Sequence, residues 1–100
     1  MAKQVVWSEL AIENVQQIFN YWDNRNKSNE YSLKLNKHIE EAVSIISEHP
    51  TIGKLSGIRN IRFGILNVYL IVYEEYENEI LIITIWDNRQ DPKKLKNNLK

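Results

Sequence analysis

The sequence predicts an α+β domain, an antiparallel helical hairpin packed on one face of a mainly antiparallel four-stranded sheet, in the order β-α-α-β-β-β. Three observations predict it. The first half carries two segments whose apolar residues recur with a helical period, the second half carries three segments rich in Ile, Val and Tyr, and no Pro-, Gly- or Ser-rich linker separates the halves. One hundred residues suffice for a single domain over residues 1–100, with its core at about 4–92 and a basic tail at 93–100.

The opening Gln4 to Trp7 is short, β-branched and aromatic, which suits a strand. Ser8 followed by Glu9 is a helix N-cap with a negative charge at the positive end of the helix dipole. Ala11, Val15, Ile18, Phe19 and Trp22 then fall on one helical face, so the first helix should run from about Ser8 to Trp22. The polar cluster from Asp23 to Asn29 has nothing to bury and predicts a turn. A second apolar face follows in Tyr31, Leu35, Ile39, Ala42, Val43 and Ile46, and Pro50 forbids its continuation past His49. Neither helix can cover its stripe with the other alone, so both need a sheet. Ile58 to Phe63 alternates as a half-buried strand does, Gly64 to Asn67 reads as a turn, and Val68 to Tyr73 and Ile80 to Trp86 are near-continuous apolar strands joined through Glu75 to Glu79. Strands apolar on both faces need cover on both. The hairpin supplies one cover, and the tail, with only Leu95 and Leu99 as large apolar groups, is a weak second one.

The charge balance is zero, thirteen basic against thirteen acidic side chains, but the charges are segregated. Residues 1–49 sum to −2, residues 50–73 hold Lys54, Arg59 and Arg62 with no acid, residues 74–79 hold four glutamates, and residues 80–100 sum to +3. The absence of cysteine excludes disulfides, thiolate zinc sites and a thiol nucleophile. No apolar run approaches the ~20 residues of a membrane span and no signal peptide is evident, so a cytoplasmic location is expected. His38 and His49 lack partners at ligand spacing, and the glutamates at 74–79 read as a solvated turn, so no metal or other cofactor is expected.

The element order resembles the RelE/ParE superfamily of toxins from type II toxin-antitoxin systems. The residues that carry the resemblance are Trp7 with Ala11, Ile18 and Tyr21, Ile46 with His49, Pro50 and Gly53, the Arg59 and Arg62 strand, the Tyr69 to Tyr73 strand, and the ending Asp87, Asn88, Arg89, Gln90, Asp91, Pro92. The resemblance implies a growth-inhibiting, plasmid-stabilising toxin neutralised by a cognate antitoxin. RelE-type relatives cleave messenger RNA on the ribosome, which needs cations for the phosphorane and groups to move protons. The matching segments offer Lys54, Arg59, Arg62 and Arg89, with Asp87 as the one carboxylate where cleaving relatives place His or Tyr. ParE-type relatives inhibit DNA gyrase and need no catalytic set, and the ending at Arg89 to Pro92 with Lys93, Lys94, Lys96 and Lys100 looks closer to that branch. The preferred expectation is therefore gyrase inhibition. The alternatives are a ribosome-dependent endoribonuclease acting on messenger RNA, and a degenerate member that binds only its partner.

Target contact is expected at Arg89, Lys93, Lys94 and Trp86, since Trp and Arg are enriched in interface hot spots. Arg89 beside Asp87 equally reads as a local salt bridge. Arg59 and Arg62, three apart on one strand, should point to opposite faces. The sheet face left without helical cover is the expected antitoxin surface, through Ile71, Tyr73, Ile83 and Trp86.

Overall fold

Ser8 caps the first helix as its sequence position requires: its hydroxyl accepts the Ala11 N–H at 3.0 Å, which orients a helix over Glu9–Asn26 (α1) directly after the strand Gln4–Trp7 (β1). The computed structural model describes residues 2–89 and 92–99; Gln90 and Asp91 of the expected ending, and Lys100 of the tail, lie outside the described residues. Helix α1 extends one turn beyond Trp22, taking in part of the polar cluster, and ends where Lys27 adopts φ 54°, a left-handed cap. Glu30–Glu48 forms α2, and a single 3-10 turn at Pro50–Ile52 leads away from it. The remaining strands are Lys54–Leu55 (β2), Ile61–Leu66 (β3), Tyr69–Glu75 (β4) and Glu79–Asp87 (β5), followed by a helix at Pro92–Leu99 (α3).

The sheet order is β1-β5-β4-β3-β2, antiparallel except that β1 runs parallel to β5. Five strands therefore replace the four expected. The additional β2 is two residues long, too short for any periodicity to reveal. β3 starts later and ends later than its alternation implied, because Gly64 lies inside it rather than in a turn. A Cβ at Gly64 would sit 3.2 Å from Ile46 Cδ1, so the glycine lets α2 approach the sheet. The turn falls instead at Asn67, with φ 55°. Arg59 lies before β3, in a loop at φ 45°, so the alternation argument for Arg59 and Arg62 does not apply.

The hairpin packs on one face through Ala11, Leu35, Ile39, Val43 and Ile46 against Tyr69, Ile71, Tyr73, Ile80, Ile82 and Ile85. The expectation of an uncovered second face is corrected by α3, whose Leu95 and Leu99 are buried with Ile61 and Val72, and Ile83, Trp86, Phe63 and Leu70 pack around them. Burying each of the two leucines stabilises this cover by roughly 1.5–3 kcal/mol. The basic tail expected at 93–100 to be only a weak cover forms this helix, with Lys93 and Lys94 exposed on it.

A β-bulge sets the phase of β5. Val72 pairs with Thr84 but Tyr73 with Ile82, leaving Ile83 as the extra residue. Before it Ile80 and Ile82 face the hairpin, and after it Ile85 does. Helix α1 takes up the polar groups the bulge disturbs: the Ser8 hydroxyl donates to the Ile83 carbonyl at 2.6 Å, and the Asn14 side-chain oxygen accepts from the Ile85 N–H at 3.3 Å and from the Thr84 hydroxyl.

The acidic stretch is only partly the solvated turn expected. Glu74 is buried, accepts from Arg59 Nε at 3.2 Å and from the Tyr76 hydroxyl at 2.9 Å, while Glu75 pairs with Lys3 Nζ at 2.8 Å. Burying Glu74 with two donors satisfies a charge that would otherwise be costly to desolvate.

Candidate functional site

Because of the bulge, Asp87 pairs with Tyr69 on the same face as Ile85, beneath α1, while Trp86 pairs with Leu70 on the opposite face. Simple alternation from Ile80 would have placed them the other way round. The residues Asn14, Gln17, Ile18 and Tyr21 of α1 then close over Tyr69, Ile85, Asp87 and Arg89 to form an open cleft of about 390 Å3. Its α1 wall recurs at i, i+3, i+4 and i+7, the polar margin of the buried stripe.

Arg89 is held in this cleft by Asp87. The guanidinium donates through Nε at 3.0 Å and Nη2 at 2.7 Å to the two carboxylate oxygens, and the Arg89 backbone N–H donates to the same carboxylate at 2.9 Å. These hydrogen bonds from Arg89 hold the Asp87 carboxyl below the usual carboxylate range, and the pairing raises Arg89 in turn. The Arg89 side chain is still 57% exposed, so the pair orients a cation at the surface rather than sequestering it. Tyr69 accepts the Trp22 indole N–H at 2.8 Å, and burial, the larger effect, raises its phenol pKa. Tyr21 accepts from Arg25 Nη1 at 3.0 Å and meets Trp22 edge-on, with centroids 5.0 Å apart. Arg25 lies 5.8 Å over the Trp22 ring, so aromatic and hydrogen-bond contacts stiffen the outer wall.

The other expected site residues do not converge here. Lys54 lies on β2 at the far edge of the sheet and lines a different, apolar cleft with Ile45, Ile52 and Ile65. Arg59 is engaged with Glu74. Arg62 Nη1 donates to the Gly53 carbonyl at 2.8 Å and the Thr51 carbonyl at 3.3 Å, tying down the loop ahead of β2. Of the residues expected to contact an antitoxin, Ile71 and Tyr73 are buried beneath the hairpin, and Ile83 and Trp86 are partly buried against the α3 cluster. Trp86 and Arg89, grouped as one hot spot by sequence proximity, belong to opposite faces. Asn14, Gln17 and Tyr69 were not singled out as site residues; the helical margin at 14, 17, 18 and 21 was the available signal, but the bulge that aims Asp87 at it has no local signature.

Among the described residues, no group of three or more Asp, Glu or His side chains gathers in a way that could hold a metal ion, and no helix is long and apolar enough to cross a membrane. A family model described as the ParE toxin of the type II toxin-antitoxin system parDE matches residues 5–92. No curated protein matches the chain. Among solved structures, the chain is similar to one from the chromosomal ParDE TA system of P. aeruginosa, at 19% identity and a TM-score of 0.73, over 84% of this chain and 94% of that one.

Proposed function

Because the chain belongs to the ParE toxin family of type II toxin-antitoxin systems, we propose that it arrests growth by binding and inhibiting DNA gyrase, and that a cognate antitoxin holds it silent. The observation that carries this reading is the dispersal of the cations. Cleavage of messenger RNA needs a base, a proton donor and cations about one phosphate. Lys54, Arg59 and Arg62 are instead separated from Arg89 by distinct partners and distinct clefts. The carboxylate beside Arg89 is a poor base, because its ion pair lowers its proton affinity.

Inhibition by binding asks only for an organised surface, and the Arg89 cleft supplies one. An oriented guanidinium stands beside Tyr21 and Tyr69 over an apolar floor of Ile18 and Ile85, the residue types that dominate interface energetics. Exposed Lys93 and Lys94 extend the basic character of the chain beyond it. Trp86 serves this surface indirectly in the proposal, by seating α3. The similar structure from P. aeruginosa comes from a ParDE system, which supports an antitoxin as partner.

A supercoiling assay with purified gyrase tests the reading. The protein should inhibit supercoiling, and Arg89→Glu should weaken inhibition by at least about tenfold, the equivalent of one charged hydrogen bond or more. Unimpaired supercoiling together with ribosome-dependent cutting of messenger RNA would replace it with the nuclease reading. Loss of neither process would leave a partner-binding member only.

A further inference from the structure

β1 ends at Trp7, opposite Ile82, so β5 runs on from Ile83 to Asp87 with no strand on that side among the described residues. Outward N–H and C=O groups on such an edge need other partners. Here the first turns of α1 take the place of a strand. The Ser8 backbone N–H donates to the Ile82 carbonyl at 3.0 Å and the Ser8 hydroxyl to the Ile83 carbonyl at 2.6 Å. The Asn14 side-chain oxygen accepts from the Ile85 N–H at 3.3 Å and from the hydroxyl of Thr84, a buried residue. One oxygen therefore holds two consecutive residues of β5, just past the extra Ile83.

Ahead of the bulge Tyr73 pairs with Ile82 and Glu74 with Leu81. Continued without an extra residue, the same ladder would pair Val72 with Ile83, Ile71 with Thr84, Leu70 with Ile85 and Tyr69 with Trp86. A slip of one residue exchanges the two faces of a strand. Trp86 would then enter the cleft beneath α1, and Asp87 would turn toward α3, taking with it Arg89, which is bound to it by side chain and backbone. Ile83, Ile85 and Trp86 are all apolar, so burial alone separates the two registers weakly. Asn14 separates them sharply. In a regular strand alternate residues direct both backbone groups to the same side. The Ile82 carbonyl points to the β1 side, so without the bulge the Ile85 N–H would point to β4; only in the bulged register does it face Asn14.

We propose that Asn14 is a positioning residue for target inhibition: by holding Thr84 and Ile85 it fixes the bulged register of β5 and so presents Arg89 in the cleft beneath α1 instead of on the α3 face. This role rests on the reading of the Arg89 cleft as the gyrase-binding surface. Asn14 acts through Asp87 and Arg89, although it also lines the cleft they share. Ser8 is less selective, because its cap on Ala11 and its N–H bond to Ile82, ahead of the bulge, serve either register.

Asn14→Leu removes the accepting oxygen at similar volume, and Asn14→Asp keeps it. In NMR spectra of the whole protein, the leucine variant should lose the cross-strand backbone contact between Tyr69 and Asp87 and gain one between Tyr69 and Trp86. It should also inhibit supercoiling by purified gyrase at least about tenfold more weakly, the equivalent of one buried hydrogen bond. The aspartate variant should keep the native contact and recover most of the inhibition. Deleting Ile83 supplies the control, because it makes β5 regular while leaving Val72 opposite Thr84 and Tyr69 opposite Asp87. In that background Asn14→Leu should weaken inhibition less than about threefold. An equal loss in both backgrounds would mean that Asn14 simply touches the target, and overturns the proposal. So does a Tyr69–Asp87 contact that survives Asn14→Leu, or full inhibition after the register has slipped. If the leucine variant does not fold, Asn14→Ala is read in the same way, and if the deletion does not fold, the NMR contacts decide. A wild-type protein that leaves gyrase active, while Asn14→Leu still slips the register, sinks the gyrase reading and leaves the placing of Arg89 by Asn14 standing.

Discussion

Gly53→Ala should be unusually damaging, and Tyr73 is the reason. Gly53 donates its N–H to the Tyr73 hydroxyl at 3.0 Å, and that hydroxyl donates to the Pro50 carbonyl at 2.6 Å, so one buried phenol pins both ends of the 3-10 turn. A Cβ at position 53 would overlap the Tyr73 hydroxyl and lie 2.9 Å from its Cε1 and 3.0 Å from the Phe63 carbonyl oxygen. The φ of −75° suits alanine, so the cost is packing, not backbone strain. Tyr73 is fully buried and has nowhere to turn. Overpacking of about 1–3 kcal/mol and the weakening of two hydrogen bonds of about 1 kcal/mol each give a loss of roughly 2–4 kcal/mol. Tyr73→Phe alone leaves the Gly53 N–H and Pro50 carbonyl without partners, at about 1–3 kcal/mol. Removing the hydroxyl also removes the worst overlap, so Gly53→Ala in the Tyr73→Phe background should cost only about 1 kcal/mol. Urea unfolding of the four proteins in a double-mutant cycle measures this. An equal cost of Gly53→Ala in both backgrounds would refute the reasoning. The same turn brings Ile52 and Lys54 to the apolar cleft beside α2 and is the segment that Arg62 grips.

Two further outcomes are expected. The Asp87 carboxyl is held low by Arg89 in the folded state, so its contribution to stability is present above the unfolded value near 3.9 and is lost as pH falls through the lowered folded value; urea midpoints from pH 6 to 2 should therefore fall more steeply, at the acid end, for the wild type than for Asp87→Asn. Leu99→Ala should remove much of the second-face cover and lower stability by about 2–3 kcal/mol, or roughly 8–24 °C in melting temperature, and a thermal scan showing no change would mean that α3 contributes nothing to the fold.

Much of the architecture was legible because it rests on local periodicity. The Ser8 cap, the α1 and α2 stripes and the break at Pro50 are statements about neighbours within one turn of helix, and each appears where the residues place it. Misplacements occurred where a distant contact overrode a local signal. Gly64 reads as a turn residue, but here it makes room for Ile46. Glu74 reads as solvated, but Arg59 reaches it from the loop ahead of β3. The tail reads as loose because two leucines in a basic stretch carry little weight until the apolar outer face of β4 is known to need them.

What the residues determined by themselves was therefore the inventory: two amphipathic helices, β-rich segments apolar on both faces, and charges gathered into blocks, all consequences of side-chain period and sign. The tertiary structure decided which of these meet. One extra residue at Ile83 reverses the facing of everything after it in β5, turning Asp87 toward α1 and Trp86 toward α3. That choice depends on Ser8 and Asn14, some seventy positions earlier, accepting or supplying the hydrogen bonds the bulge disturbs. No local pattern encodes such an exchange, because its energy exists only once α1 lies across the sheet.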